Sequence, residues 1–82
     1  MYIDIKQLKA VQARAVAANI GSSIIEPIMK DIKKAAAKGD SEICITYKNY
    51  KMDRNIADMV SYWARICGFV TATYSDYMYI KW

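Results

Sequence analysis

Apolar residues at Ile56, Met59, Val60, Trp63, Ile66 and Cys67 recur at three and four, the spacing that lines one face of an α-helix. Asp53 is a cap for this helix, and Gly68 supplies a left-handed stop. After the stop the pattern changes to alternation. Phe69 to Tyr74 and Tyr77 to Trp82 read as two strands around Ser75-Asp76, with Val70, Ala72 and Tyr74 alternating against Phe69, Thr71 and Thr73. In the second strand Met78, Ile80 and Trp82 alternate against Tyr77, Tyr79 and Lys81.

Upstream, Ile25, Ile28, Met29, Ile32, Ala35 and Ala36 form a broad helical stripe that ends at Gly39-Asp40. Ser23 followed by Glu26 has the form of a capping box, and Pro27 places the helix start anywhere from Ser23 to Pro27. Glu42 to Tyr47 is β-prone, with Ile43, Ile45 and Tyr47 on one face. Residues 4–19 predict a first helix, with Ile5, Leu8, Val11 and Ala15 on a thin stripe and Lys6, Lys9, Gln12 and Arg14 on the exposed face. Such a helix either packs closely on a neighbour or sits at the edge of the domain, as a peripheral N-terminal helix over residues 1–20.

The order is therefore α-α-β-α-β-β in a single domain over residues 1–82. The expected fold class is α+β, two layers, with a three-stranded sheet and the second and third helices packed on one face. The pattern leaves the strand order open.

Composition narrows the functions this fold can serve. A chain of 82 residues buries about 60% of its unfolded surface, too little to carry a large active-site cavity easily. Histidine is absent, which removes the side chain best suited to proton transfer at neutral pH and most transition-metal sites. The eight carboxylates fall in no recognisable motif, and three isolated glycines make no phosphate loop. The expectation is a protein that is not an enzyme and has no cofactor or metal. Cys44 and Cys67 read as free, mostly buried thiols. No apolar run reaches the ~20 residues that span a bilayer, and Met1 to Lys6 lacks a signal-peptide layout, so a cytoplasmic setting without membrane partners is expected.

Three surfaces remain as candidates. If the helices cover the Ile43/Ile45, Val70/Ala72 and Met78/Ile80/Trp82 side of the sheet, the other side presents Thr71, Thr73, Tyr77, Tyr79 and Lys81, with Tyr47 and Tyr50 at its border. Tyrosines of this kind are enriched where proteins meet, although Tyr and Thr also favour strands without any partner. The second surface is basic: the net charge is +4, and Lys30, Lys33, Lys34 and Lys38 project from one helix. Lys48, Lys51 and Arg54 add a second cluster around Tyr47 and Tyr50, a mixture suited to single-stranded nucleic acid. Lysines are equally what a solvated helix face carries. The third is self-association through a sheet edge or the Ala-rich first helix.

From Lys34 to Trp82 the layout is an Ala/Lys-rich helix end, Gly-Asp, an Ile-rich strand, a helix closed by Gly68-Phe69-Val70, and a final Tyr-Met-Tyr-Ile-Lys-Trp. It resembles a recurrent kind of small bacteriophage protein that closes with a helix, a Gly-aromatic strand start and a terminal aromatic-Ile-x-Trp. The resemblance implies a compact α+β protein of a class that binds and redirects host proteins or assists phage particles. The leading expectation is a non-enzymatic protein that binds a host or phage protein, as an inhibitor of a host enzyme or defence system. Nucleic-acid binding and a self-associating structural role are the alternatives.

Overall fold

The computed structural model describes the backbone of residues 5–82 and the side chains of residues 10–82. The elements are α1 (Ile5–Ile20), α2 (Ser22–Ala37), β1 (Glu42–Thr46), a single 3₁₀ turn (Tyr47–Tyr50), α3 (Arg54–Ile66), β2 (Val70–Thr73) and β3 (Tyr77–Lys81). The fold is α+β in the expected order, and the sheet is antiparallel with strand order β1-β3-β2. β3 is central because it pairs on both sides, leaving β1 and β2 as edges.

The helix ends follow from local chemistry. The Asp53 carboxylate accepts from the Ile56 N–H at 2.8 Å, capping α3 as its sequence suggests. At the other end, Gly68 at φ 99° lets the Phe69 N–H reach the Ala64 carbonyl and its own N–H reach that of Arg65, a Schellman closure. The same pair of bonds closes α2 around Gly39. Phe69 is thereby turned back onto the core at the start of β2.

α2 begins differently from the expectation. Gly21 stands at its N-cap and no side chain caps it, so the Ser23–Glu26 capping box does not form. The helix starts at Ser22, which puts Pro27 inside it and deprives the exposed Ser23 carbonyl of an intrahelical donor. Its buried stripe is Ile24, Ile28, Ile32 and Ala35, with Ile25 half-buried and Met29 and Ala36 exposed.

α1 also presents a different face. Ala13, Val16, Ala17 and Ile20 pack on the core, whereas Val11 is 60% exposed and Ala15 points to solvent with Gln12 and Arg14. Ile5, Leu8, Lys6 and Lys9 lie outside the residues whose side chains are described. α1 runs against α3, while α2 covers β1 and α3 covers β2. Between the helices and the sheet Ile28, Ile45, Val60, Met78 and Ile80 are fully buried.

Candidate functional site

Among the described residues, none covers the side of the sheet away from the helices, and the residues of that face follow from register. β3 sends Met78 and Ile80 into the core, so Tyr77, Tyr79 and Lys81 point out. In β1, Ile45 is buried and Cys44 exposed. β2 pairs Val70 with Lys81, Thr71 with Ile80, Ala72 with Tyr79 and Thr73 with Met78. Directly opposed residues share a face, which places Val70 and Ala72 outward and Thr71 and Thr73 on the helix side. The open face thus consists of three rows: Thr46–Tyr77–Tyr74, Cys44–Tyr79–Ala72 and Glu42–Lys81–Val70.

Two of the five residues expected on this face, Thr71 and Thr73, therefore lie on the helix side, and the two expected at its border, Tyr47 and Tyr50, turn inward. The Thr71 Oγ1 lies 2.8 Å from the Ser61 Oγ on α3 and accepts from the Arg65 Nε at 3.1 Å, and Thr73 stands on the same side at the strand end. Tyr47 is buried, its hydroxyl donating to the Tyr74 carbonyl at 2.8 Å. Tyr50 is half-buried and donates to the Asp31 carboxylate of α2, away from the open face. Tyr77, Tyr79 and Lys81 are where the alternation put them. The β2 side instead contributes Tyr74, 48% exposed, and Val70, 65% exposed, with Ala72.

The part-buried Ser61–Thr71 contact makes the reversed face of β2 measurable. Thr71→Val is expected to destabilise the protein by about 1–2 kcal/mol, because Ser61, itself only 5% exposed, loses its hydroxyl partner without water to replace it. Adding Ser61→Ala removes both partners and is expected to recover most of that loss in urea unfolding. A solvent-facing Thr71 predicts instead a neutral or stabilising valine.

The tyrosines on the open face form one cluster. The Tyr74 and Tyr77 rings stack with centroids 4.8 Å apart at 20°. Tyr79 meets both edge-on, at 6.3 Å and 5.7 Å, the arrangement that ring quadrupoles favour. The Tyr79 phenol is pushed above its ordinary pKa, first by charge on the neighbouring Cys44 thiol, then by burial, Tyr77, Glu42 and Tyr74. It remains a neutral donor at physiological pH. At the other end of the face, Lys81 Nζ and Glu42 Oε2 lie 3.9 Å apart.

Burial raises the Tyr47 phenol, opposed in part by the Arg54 charge. Burial first, and then the hydrogen bond and charge of Asp31, raise Tyr50 well above its ordinary range. Both are structural hydroxyls rather than proton-transfer groups.

The basic residues separate into different surroundings. Lys30, Lys33 and Lys34 flank a shallow exposed strip of α2 with Glu26, Met29 and Ala37, and Lys38 follows at the helix end. The second cluster is divided. Lys48 and Arg54 share a depression with Asp76, and Arg54 Nε stands 4.0 Å from the Asp58 carboxylate. Lys51 faces the groove beside Asp31 and Tyr50 instead.

Both cysteines are free and exposed rather than buried. Cys44 lies between the core-facing Ile43 and Ile45, and Cys67 follows the last turn of α3. Among the described residues, no group of three His, Cys, Asp or Glu is placed to hold a metal ion, and no helix is long and apolar enough to cross a membrane.

No protein-family model, curated protein or solved structure matches the chain.

Proposed function

We propose that this chain is a non-enzymatic binding protein that engages a partner protein through the open face of its sheet. The observation that carries the reading is the uncovered Tyr74–Tyr77–Tyr79 cluster, continuous with exposed Val70 and rimmed by the Lys81–Glu42 pair. Rigid aromatic rings with polar tips supply contact area at little entropic cost, and a central aromatic cluster within a polar rim is the anatomy of a binding hot spot. The layout shared with small bacteriophage proteins supports a host or phage protein as the target, in the host cytoplasm, with inhibition of a host enzyme or defence system as the effect.

Capture from nuclease-treated bacterial lysate, washed at high salt, tests this when wild type is compared with Tyr79→Ala. Losing one cluster ring is expected to cost about 2 kcal/mol of binding, roughly thirtyfold in affinity, while the protein stays folded at a thermal midpoint lowered by the two lost ring contacts. Equal capture by both proteins removes the tyrosine face as the contact. Capture seen only from a parallel lysate without nuclease, and falling steeply with salt, favours nucleic acid on the α2 lysines instead.

A further inference from the structure

Among the described residues the outer edge of β1 is unpaired; it lies beside a groove, and the two together have the form of a peptide slot. The Tyr47 N–H bonds to the Asp76 carbonyl at 3.1 Å and the Trp82 N–H to that of Ser41 at 2.8 Å. These two bonds set the phase of the β1–β3 ladder. By antiparallel alternation, the peptide groups of Ile43 and Ile45 turn toward β3, while those of Glu42, Cys44 and Thr46 turn away from the sheet. β1 runs five residues in unbroken register, with neither proline nor bulge to protect it.

α2 stands over this strand, and a groove of about 690 Å³ opens between them. Its walls include Ile24 and Pro27 on α2, Cys44 on β1, and Tyr50 and Lys51 after the strand. The Tyr50–Asp31 hydrogen bond ties the 3₁₀ turn to α2 and fixes the inner end of the groove.

We propose that an extended, acidic segment of a partner protein adds to β1 as a fourth strand within this groove. Two arguments choose the occupant. A second copy of the chain is unsuitable, because pairing two β1 strands about 4.8 Å apart brings their covering α2 helices nearly as close, whereas packed helices need about 8–10 Å. A bare strand carries no such layer. Charge selects its composition. Within the groove Asp31 keeps its charge while accepting from Tyr50, and Lys51 opposes it, so the lining is balanced. The excess is positive toward Glu42, where Glu42 faces Lys81 and Lys34, near the end of α2, and Lys38, at its C-cap, outnumber the single further carboxylate Asp40. Among the described residues, none of Lys34, Lys38 and Lys51 has a carboxylate within 4.0 Å. Side chains of the added strand that point toward α2 thus meet Ile24 and Pro27 near the 3₁₀ turn, and Lys34 and Lys38 near Glu42. The fitting segment is apolar at one end and acidic at the other.

The probe is an end-blocked peptide, Val-Thr-Val-Thr-Glu-Thr-Glu, with its reversed sequence to cover both strand directions and a lysine-for-glutamate version as the control. Binding is expected to protect the amides of Glu42, Cys44 and Thr46 from hydrogen exchange. The lysine peptide is expected to bind roughly tenfold more weakly, and Lys34→Glu with Lys38→Glu to reverse that preference. Cys44→Pro removes one outward N–H where an edge strand tolerates proline, and at an unchanged thermal midpoint it is expected to weaken the peptide. Saturating peptide without protection of those three amides overturns the proposal, as does equal binding of the two charge types. Oligothymidylate that binds through Lys34 and Lys38 and excludes the peptide without protecting the edge overturns it in favour of nucleic acid. Tyr79→Ala leaves the edge intact, so this outcome is independent of the fate of the open face.

Discussion

Ile80→Ala is expected to lower the unfolding free energy by about 3 kcal/mol and the thermal midpoint by roughly 12–24 °C. The residue is fully buried on the central strand, opposite Ile43 on one side and Thr71 on the other, so no edge of the sheet can move in to close the cavity. A domain of this length holds only about 4–12 kcal/mol in all, and a loss of this size removes a quarter or more of it. Urea unfolding followed by circular dichroism measures the change as a lowered midpoint at constant slope. Val70→Ala supplies the comparison: its side chain is 65% exposed on the opposite face, and a change within about 0.5 kcal/mol is expected. Equal losses at the two positions are incompatible with an open face on the Val70 side.

The two faces differ so sharply because a hairpin register is set by its loop. The Tyr74 N–H bonds to the Tyr77 carbonyl at 2.8 Å, leaving Ser75-Asp76 as the two-residue turn. That pairing puts Tyr74 beside Tyr77 and carries Ala72 beside Tyr79 and Val70 beside Lys81. Hydropathy alone gives the opposite result, because Val70 and Ala72 are more apolar than Thr71 and Thr73. A register shift of one residue exchanges every side chain between faces. The turn length was the legible signal, and it outweighs residue polarity here because Ser61 and Arg65 of α3 give Thr71 its hydrogen bonds.

Elsewhere the chain was easier to read. The α3 stripe, its Asp53 cap and its Gly68 stop are strong because propensity, capping and burial agree over thirteen residues. The destinations of Tyr47 and Tyr50 had no local signature, since the Tyr74 carbonyl and the Asp31 carboxylate that receive their hydroxyls lie 27 and 19 residues away. The α1 stripe departs from the hydropathy pattern for a related reason. Small alanines pack where helices approach closely, so Ala13 and Ala17 take the contact while the larger Val11 faces solvent.

The start of α2 shows what a single glycine can decide, and Gly21→Ala is expected to destabilise the protein by about 1–2 kcal/mol. Gly21 donates to the Ala17 carbonyl at 2.9 Å, ending α1, and its own carbonyl accepts from Ile24 at 3.2 Å and Ile25 at 3.1 Å, opening α2. One residue turns the chain between two helices because it sits at φ 99°, ψ 145°, in or beside a region that costs an L-residue about 1–3 kcal/mol. Space does not contribute: an added Cβ meets nothing nearer than the Ser23 Oγ at 4.0 Å. The lower flexibility of alanine in the unfolded chain offsets about 0.4–1 kcal/mol of the strain. The loss is expected to be felt first on α1, which this corner positions and whose Ala13, Val16 and Ala17 are only part-buried, so their amides should gain exchange before those of β3, where Met78 and Ile80 are fully buried. D-alanine at position 21, introduced by chemical synthesis, favours positive φ and is expected to be more stable than the L-alanine variant. An L-alanine variant as stable as wild type, or a D-alanine variant no better than the L-form, contradicts the assignment of the cost to the backbone at this corner.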